Sequence, residues 1–204
     1  MPQLALLVDL DGVLRRWPAV DDSLEEEFGR PAGSIRTAAF DRTLIDRVIT
    51  GRLSDDEWRQ HVAAELQAHF PTAAALAAVK AWSEPCGEID QGTLAVVRWA
   101  RKRARVCLVT NATSRLNSDL DVLGIRREFD CIVNSSAIGS AKPEARIFEL
   151  SLSLVGATAS HAVFVDDQKI NVQAAVALGI NGHLFTSPEV LKEHLTETWG
   201  EGAA

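Results

Sequence analysis

Short apolar runs recur along the chain and alternate with longer stretches whose apolar positions follow a helical period. Each run is rich in Val, Ile, Leu or Phe over only a few residues, which is typical of strands that are covered on both faces. The pattern predicts five buried strands, at residues 4–8, 106–109, 131–133, 162–165 and 183–185.

Helices are predicted between these strands. Leu116, Leu120 and Leu123 fall on one face of a helix because of their spacing. Two of the helices end in the same Leu-Gly-Ile tripeptide, at 123–125 and 178–180, where the glycine can adopt the left-handed conformation that ends a helix. Alternating strands and helices with short connections predict an α/β fold, a Rossmann-like parallel sheet of about five strands with helices on both faces.

The alternation is interrupted after the first strand. Helical patterns occupy this segment instead, around residues 23–28, 38–50, 54–70 and 72–82. The third begins with Ser54-Asp55-Asp56-Glu57, which has the spacing of a capping box. The sequence therefore predicts a small helical module at residues 15–86, inserted into an α/β core made of residues 1–14 and 87–204.

Composition and charge exclude several classes of protein. A hydrophobic content of 47% is that of an ordered globular chain, and the net charge of −7 argues against nucleic acid or an anionic membrane as partner. No apolar stretch approaches the roughly 18–20 residues needed to span a bilayer. The three cysteines form no CxxC pair, so we expect no disulfide framework, no zinc site and a reducing, cytoplasmic location.

Polar residues cluster where the predicted strands end. Asp9 and Asp11 follow the first strand, Thr110-Asn111 the second and Asp166-Asp167 the fourth, while Lys142 precedes a predicted helix. Each alone is also compatible with a turn, a helix cap or a solvated charge. Ligands of parallel sheets bind beyond the carboxyl ends of the strands, and four carboxylates converging there would repel one another without a cation. The set therefore indicates a divalent metal with oxygen ligands, of which Mg²⁺ is the usual one beside a phosphate.

Together these segments resemble the four ordered motifs of the haloacid dehalogenase-like (HAD) hydrolases. The resemblance covers the whole chain, and the helical insertion is similar to the small C1 cap of that family. Gly51-Arg52-Leu53-Ser54, Asn171 and Ala174-Ala175 further resemble the C1-capped phosphatase subgroup. That subgroup contains bacterial sugar-1-phosphate phosphatases and the N-terminal phosphatase domain of mammalian soluble epoxide hydrolase.

The resemblance implies a role for each motif residue. Asp9 would attack phosphorus and form an aspartyl-phosphate, and Asp11 would protonate the leaving oxygen and then activate water. Thr110 and the backbone of Asn111 would bind the phosphoryl oxygens. Lys142 would neutralise charge on the nucleophile and the phosphate.

The resemblance also implies a Mg²⁺ site. Its ligands would be Asp9, the carbonyl of Asp11, and Asp166 or Asp167. Asp11 must hold a proton to act first as an acid, and we expect surrounding carboxylates to favour this. Dehalogenating members of the family lack a carboxylate at the position of Asp11, so its presence favours phosphoryl transfer over dehalogenation.

The sequence therefore favours a Mg²⁺-dependent phosphomonoesterase acting on a small phosphorylated metabolite, such as a sugar phosphate. A phosphosugar mutase of the same fold uses the same motifs, and a dehalogenase or a non-catalytic HAD-like binding module are further alternatives. One of the residues 15–17 is expected to face the leaving group. Trp58, His61 and Trp82 in the insertion are expected to be packing residues.

Overall fold

The computed structural model describes residues 3–17, 25–27, 29, 31–68 and 71–200. The strands are β1 (Ala5–Val8), β2 (Arg15–Arg16), β3 (Glu88–Ile89), β4 (Arg105–Thr110), β5 (Cys131–Asn134), β6 (Ala162–Asp166) and β7 (Asn181–Leu184). The helices are α1 (Ser34–Ala39), α2 (Arg42–Ile49), α3 (Asp55–Gln67), α4 (Thr72–Ser83), α5 (Gln91–Arg101), α6 (Leu116–Val122), α7 (Ser135–Ile138), α8 (Ala145–Val155), α9 (Lys169–Ala177) and α10 (Pro188–Trp199). Two 3₁₀ turns cover Arg126–Glu128 and Ala159–His161.

Five strands form one parallel sheet in the order β5-β4-β1-β6-β7. Leu6 and Val8 of β1 pack into a hydrophobic cluster with α5, α6 and α10, whereas Ala5 and Leu7 pack into a second cluster with α8 and α9. Since successive residues of a strand point to opposite faces, the two clusters lie on opposite sides of the sheet. Helices therefore cover both faces, and the central strands β1, β4 and β6 are almost entirely buried.

The predicted α/β fold is confirmed, and all five predicted strands are present with bounds that differ by no more than two residues. The caps predicted from sequence are also present. Ser54 and Glu57 form the capping box of α3. Gly124 and Gly179 follow α6 and α9 with φ of 69° and 81°. In both places the N–H of the following Ile donates back to the helix, which completes the glycine-based stop signal.

The segment between β1 and α5 is helical, as predicted, but differs in two details. The helix predicted at 38–50 is two helices, because Asp41 leaves the helical conformation and its side chain accepts from the Leu44 N–H to begin α2. The two-residue strands β2 and β3 pair antiparallel at the two ends of the segment. They were not predicted, since two residues are too short to show a strand period.

A third hydrophobic cluster lies within this segment and is built from its own helices. Trp58, Val62 and Leu66 of α3 pack there against residues of α1, α2 and α4. Of the helix predicted at 23–28, residues 25–27 are helical and the rest lies outside the described residues, as does the predicted end of α3 at Phe70. Within the part of the chain that the structure describes, no helix combines the length and apolarity needed to cross a membrane.

Candidate active site

Three strand ends bring candidate residues to one edge of the sheet. Asp9 follows β1, Thr110 closes β4 and Asp166 closes β6. Because β1 lies between β4 and β6, these residues stand side by side at the carboxyl edge, where α/β sheets bind ligands. The Asp9 N–H donates to the Val165 carbonyl over 3.0 Å, which ties the chain leaving β1 to β6.

Lys142 lies between two of these carboxylates. Its Nζ is 2.7 Å from Asp9 Oδ1 and 2.7 Å from Asp166 Oδ2, and its side chain is 1% exposed. The Asn111 side chain holds the backbone of Lys142 in place. Its Nδ2 donates to the Lys142 carbonyl over 2.9 Å, and its Oδ1 accepts from the Lys142 N–H over 2.8 Å. This role of the Asn111 side chain was not predicted, because it joins positions 31 residues apart in the chain.

The Asp9 carboxyl is buried deeply enough to change its ionisation. Burial raises the pKa of Asp9 to about 7, against the opposing charge of Lys142 and with a further increase from Asp166. The Leu10 N–H donates to Asp9 Oδ1 over 2.7 Å and favours the charged form. A second cation beside Asp9 would therefore favour the ionised carboxylate that a nucleophile requires.

This burial leads to a prediction for the metal-free protein: Asp9→Asn is expected to raise its stability at pH 8. The carboxyl has a pKa of about 7 when folded and near 3.8 when unfolded, so the folded state binds the extra proton. The contribution of this carboxyl to the free energy of unfolding therefore falls as pH rises from about 4 to 7, by at most roughly 4 kcal/mol, and the variant lacks this loss. Urea unfolding in EDTA at pH 4 and pH 8 measures it. An equal difference between the proteins at both pH values would contradict the prediction.

Asp166 is held by several donors. Asn171 Nδ2 lies 3.1 Å from each of its carboxylate oxygens, and the Gln168 N–H donates to Oδ1 over 2.7 Å. With Lys142 on Oδ2, both oxygens already accept hydrogen bonds. Asp167 is less engaged, since Gln168 Nε2 donates to its Oδ2 over 2.9 Å.

Gly12 makes room for this arrangement. It has φ of 81°, and a Cβ added there would overlap the Asp167 carboxylate. Glycine is thus required both by the backbone conformation and by the close approach of Asp167.

Asp9, Asp166 and Asp167 are near enough to share a metal ion. One carboxylate oxygen from each lies within 4.8 Å of the others. Oxygen donors of this type suit Mg²⁺. The side chain of Asp11 is not part of this cluster, so among the predicted ligands Asp11 could take part only through the carbonyl that the resemblance implies.

The neighbours of the Asp11 carboxylate are donors. Arg15 Nε donates to Oδ1 over 2.7 Å and its Nη2 to Oδ2 over 3.0 Å, while Trp17 Nε1 donates to Oδ1 over 2.8 Å. The expectation that carboxylates surround Asp11 is therefore wrong, because its side chain points toward residues of the chain that follows β1. Arg16 is exposed and pairs with Asp90 instead.

Arg15 extends the network to Asp119, a residue that was not predicted to belong to the site. Its Nη1 donates to Asp119 Oδ2 over 3.1 Å, and Arg115 Nε donates to Asp119 Oδ1 over 2.6 Å. Arg115 and Asp119 have the i,i+4 spacing of a helical ion pair, which was visible in the sequence. Their link to Arg15 was not visible, because it joins positions 104 residues apart.

A cavity of 610 Å³ opens between the sheet edge and the helical insertion. Asp11 and Asn111 line its sheet end, whereas Asp9 and Lys142 lie beyond its lining. Trp58 and Trp82 line its other wall, so the expectation that they only pack is incomplete. His61 is exposed and does not line the cavity, and its Nδ1 lies 2.7 Å from the Glu57 carbonyl.

The insertion also contacts the sheet edge directly. Thr113 Oγ1 donates to Asp55 Oδ1 over 2.7 Å, and the Asp55 N–H donates to Ser114 Oγ over 2.9 Å. A Cβ added at Gly51 would overlap the Ser136 carbonyl oxygen, so the chain before α3 lies against the backbone of the core. Asp55 and Thr113 also line the cavity, so this contact between insertion and core lies at its wall.

Comparison with known proteins places these features in a family. A sequence profile described as haloacid dehalogenase-like hydrolase matches residues 4–179. The human haloacid dehalogenase-like hydrolase domain-containing protein 3 is 32% identical over 115 residues, covering 55% of this chain and 46% of that relative. The chain thus spans less than half of this relative. Phosphoglycolate phosphatase 1 of Pseudomonas aeruginosa is 26% identical over 191 residues, covering 88% of this chain and 68% of the relative.

A solved structure shares the fold. A HAD family enzyme of Bacteroides thetaiotaomicron, in complex with magnesium and inorganic phosphate, superposes with a TM-score of 0.71 at 20% identity. The match covers 91% of this chain and 95% of that enzyme. At this identity the likeness concerns the fold, and the chemistry of this chain has to be argued from its own residues.

Proposed function

This chain belongs to the haloacid dehalogenase-like hydrolases, and on that premise we propose that it is a Mg²⁺-dependent phosphomonoesterase acting on a small phosphorylated metabolite. The observation that carries the proposal is the position of Lys142 between Asp9 and Asp166, with Asp167 within metal-sharing distance of both carboxylates. The similarity to a phosphoglycolate phosphatase over 88% of the chain supports the same reaction class.

In the proposed mechanism Asp9 is the nucleophile. Lys142 and the Leu10 N–H both contact Oδ1, which leaves Oδ2 to form the bond with phosphorus. For the next step Asp11 has to carry a proton and to release the Arg15 guanidinium that contacts its carboxylate. The phosphorus–oxygen bond of the ester then breaks as Asp11 gives this proton to the leaving oxygen. Water then attacks the phosphorus of the aspartyl-phosphate, Asp11 takes the proton of that water, and inorganic phosphate is released.

Thr110 and Asn111 would receive the phosphoryl group. Thr110 is buried at the end of β4, beside the chain that leaves β1 at Asp9, and Asn111 lines the cavity. Lys142 would hold the negative charge of the phosphoryl oxygens, and Asn111 keeps this lysine in place through its backbone. Because these groups are fixed before substrate binds, they stabilise the developing charge without reorganising.

The residues present fit a Mg²⁺ ion, which would be held by Asp9, Asp167 and the Asp11 carbonyl. Bound there, the ion would neutralise charge on the phosphoryl group and on the carboxylates. We assign direct contact to Asp167 because both oxygens of Asp166 already accept hydrogen bonds. Asp166 then acts by holding Lys142 in position.

Residues 15–86 would act as a cap on a core of residues 1–14 and 87–204. Three features support this division: the separate hydrophobic cluster of the segment, the β2–β3 pairing at its ends, and the cavity beneath it. A cap that contacts the core through Asp55 and Thr113 can exclude water from the phosphoryl group during the reaction.

The same residues give less support to a dehalogenase or to a non-catalytic binding module. Asp11 supplies the proton donor that phosphate ester cleavage needs and that dehalogenation does not use. Retention of Asp9, Lys142 and the buried Asp166 in contact with one another speaks against a non-catalytic module. A phosphosugar mutase would use the same groups, and the experiment below separates it.

The experiment is phosphate release from phosphate esters with varied leaving groups, including 2-phosphoglycolate, sugar phosphates and an aromatic ester, with Mg²⁺ or with EDTA. We expect release that requires Mg²⁺. No release from any compound with Mg²⁺ would refute the phosphatase. Interconversion of sugar monophosphates that requires a sugar bisphosphate, without accumulation of free phosphate, would establish the mutase instead.

A further inference from the structure

The walls of the cavity point to a substrate class. We propose that the leaving group of the substrate carries a flat, largely apolar ring system, held among Trp17, Phe40, Trp58 and Trp82. This inference rests on the proposed phosphatase activity. It concerns the part of the substrate that leaves with the ester oxygen, while the phosphoryl group is bound by the residues described above.

Three of these rings form a fixed aromatic cluster in the helical insertion. The Trp58 and Trp82 ring centroids are 5.3 Å apart, and Phe40 lies 6.1 Å from Trp58 and 6.4 Å from Trp82, all edge to face. Trp58 Nε1 donates to the Ala39 carbonyl over 2.9 Å, so its polar atom is satisfied within the protein. The cluster therefore offers apolar and aromatic surface in a fixed geometry.

The cluster faces the same cavity as the proposed acid. Asp11 lines the sheet end of the cavity, and Trp17 lies directly beside it through its hydrogen bond to Oδ1. Ile45 and Leu116 add to the apolar lining of the cavity. An alcohol whose oxygen is close to Asp11 would thus have its carbon skeleton among aromatic and aliphatic side chains.

The charged residues of the cavity are mostly engaged with one another. Arg15 pairs with Asp11 and Asp119, Arg115 pairs with Asp119, and Arg59 pairs with Asp55. Arg36 also lines the cavity, and its guanidinium lies over the Phe40 ring at 5.6 Å. Few of these groups are free to hydrogen-bond the many hydroxyls of a sugar, and hydroxyls buried without partners are costly. The pairing favours an apolar skeleton over a polyol.

The size of the cavity agrees with this substrate class. Its volume of 610 Å³ lies within the range of about 300–1,000 Å³ that accommodates ligands of drug size. A two-carbon leaving group such as that of 2-phosphoglycolate would leave most of this apolar volume unfilled. A fused ring pair would contact the aromatic walls on several sides.

The test compares phosphate esters that all leave as primary alcohols, so that leaving-group acidity differs little. 2-Naphthylmethyl phosphate is compared with 2-phosphoglycolate and glucose 6-phosphate, with Mg²⁺. We expect kcat/KM to be at least about tenfold higher for the naphthylmethyl ester, the scale of burying one aromatic group. Hydrolysis of 2-phosphoglycolate or glucose 6-phosphate with equal or higher kcat/KM would overturn the inference and leave the phosphatase intact.

Variants locate the effect in the cavity. Trp82→Leu is expected to lower kcat/KM for the naphthylmethyl ester about tenfold, mainly through KM, and to change that for 2-phosphoglycolate less than about threefold. Trp199→Leu is the matched control, because Trp199 stacks on Trp99 in the core and does not line the cavity. Equal losses for both esters would contradict a role in substrate choice.

A binding measurement on the unmodified chain tests the inference even if the variants fail to fold or the protein releases no phosphate. Calorimetric titration of the unmodified chain with 2-naphthylmethanol, the product alcohol, is expected to show saturable binding, while glucose at the same concentrations shows none. Absence of naphthylmethanol binding would overturn the inference whatever the activity. Binding without phosphate release from any ester would refute the phosphatase alone.

Discussion

Replacing Asp9 by Asn is expected to reduce Mg²⁺-dependent phosphate release by at least about 10⁴-fold, the scale on which loss of a covalent nucleophile acts. The amide keeps the shape of the side chain but lacks the anionic oxygen that would form the bond with phosphorus. Since Asp9 joins Lys142 and the Leu10 N–H through Oδ1, the variant can keep much of the local geometry. The loss is therefore expected in kcat, measured with the best substrate of the panel.

The control for this variant is Asp46→Asn. Asp46 is an exposed residue of α2 and does not line the cavity, so its substitution is expected to leave kcat and KM unchanged. The stability of Asp9→Asn in EDTA at pH 8 shows separately that the variant folds. Turnover of a folded Asp9→Asn protein within tenfold of the original would refute the assignment of the nucleophile.

Replacing Lys142 by Met is expected to affect both stability and turnover. The side chain is almost fully buried between Asp9 and Asp166, and its removal leaves two buried carboxylates facing each other without a cation. Removing one partner from a buried ion pair costs about 3–5 kcal/mol, part of which protonation of Asp9 offsets. Loss of its charge from the phosphoryl site is expected to lower kcat by about 10²–10³-fold.

The effect of Mg²⁺ on the melting temperature distinguishes the loss of the Lys142 charge from a simple packing defect. Mg²⁺ bound beside the same carboxylates supplies positive charge, so the difference in melting temperature between Lys142→Met and the original protein is expected to be smaller in Mg²⁺ than in EDTA. Lys102→Met, at the exposed end of α5, is the matched control and should change neither quantity. A difference in melting temperature that is the same with and without Mg²⁺ would contradict the proposed arrangement.

Arg15 shows how a residue close to a motif can link distant parts of the site. It lies in β2, contacts the Asp11 carboxylate with two nitrogens and reaches Asp119 with a third. It therefore orients the proposed acid from the same strand that leads into the helical insertion. The sequence placed Arg15 near the leaving group through its proximity to Asp11, but it offered no means of choosing between Arg15, Arg16 and Trp17.

The strands were predictable because burial on both faces requires a short continuous run of apolar residues, which is visible in the sequence. β1, β4 and β6 lie in the middle of the sheet, so nearly all their residues are apolar, and each run ends where the polar residues of the edge begin. Helix ends were predictable because their hydrogen bonds are also local. The Ser54 side chain accepts from the Glu57 N–H, and after Gly179 the Ile180 N–H donates to the Ala175 carbonyl. The break at Asp41 was missed because Asp occurs both as a cap and on the exposed face of a helix.

The sequence by itself determined the α/β fold and the order of its motifs. It also determined that Asp9, Thr110 and Asp166 stand at one edge of the sheet, because parallel strands bring their carboxyl ends to one side. The tertiary structure alone decided which side chains face each other there. Arg15 bonds Asp11 and Asp119, and Trp58 and Trp82 line the cavity. These contacts join positions far apart in the chain. Their geometry depends on how the helices pack, and a short-range sequence pattern does not predict this packing.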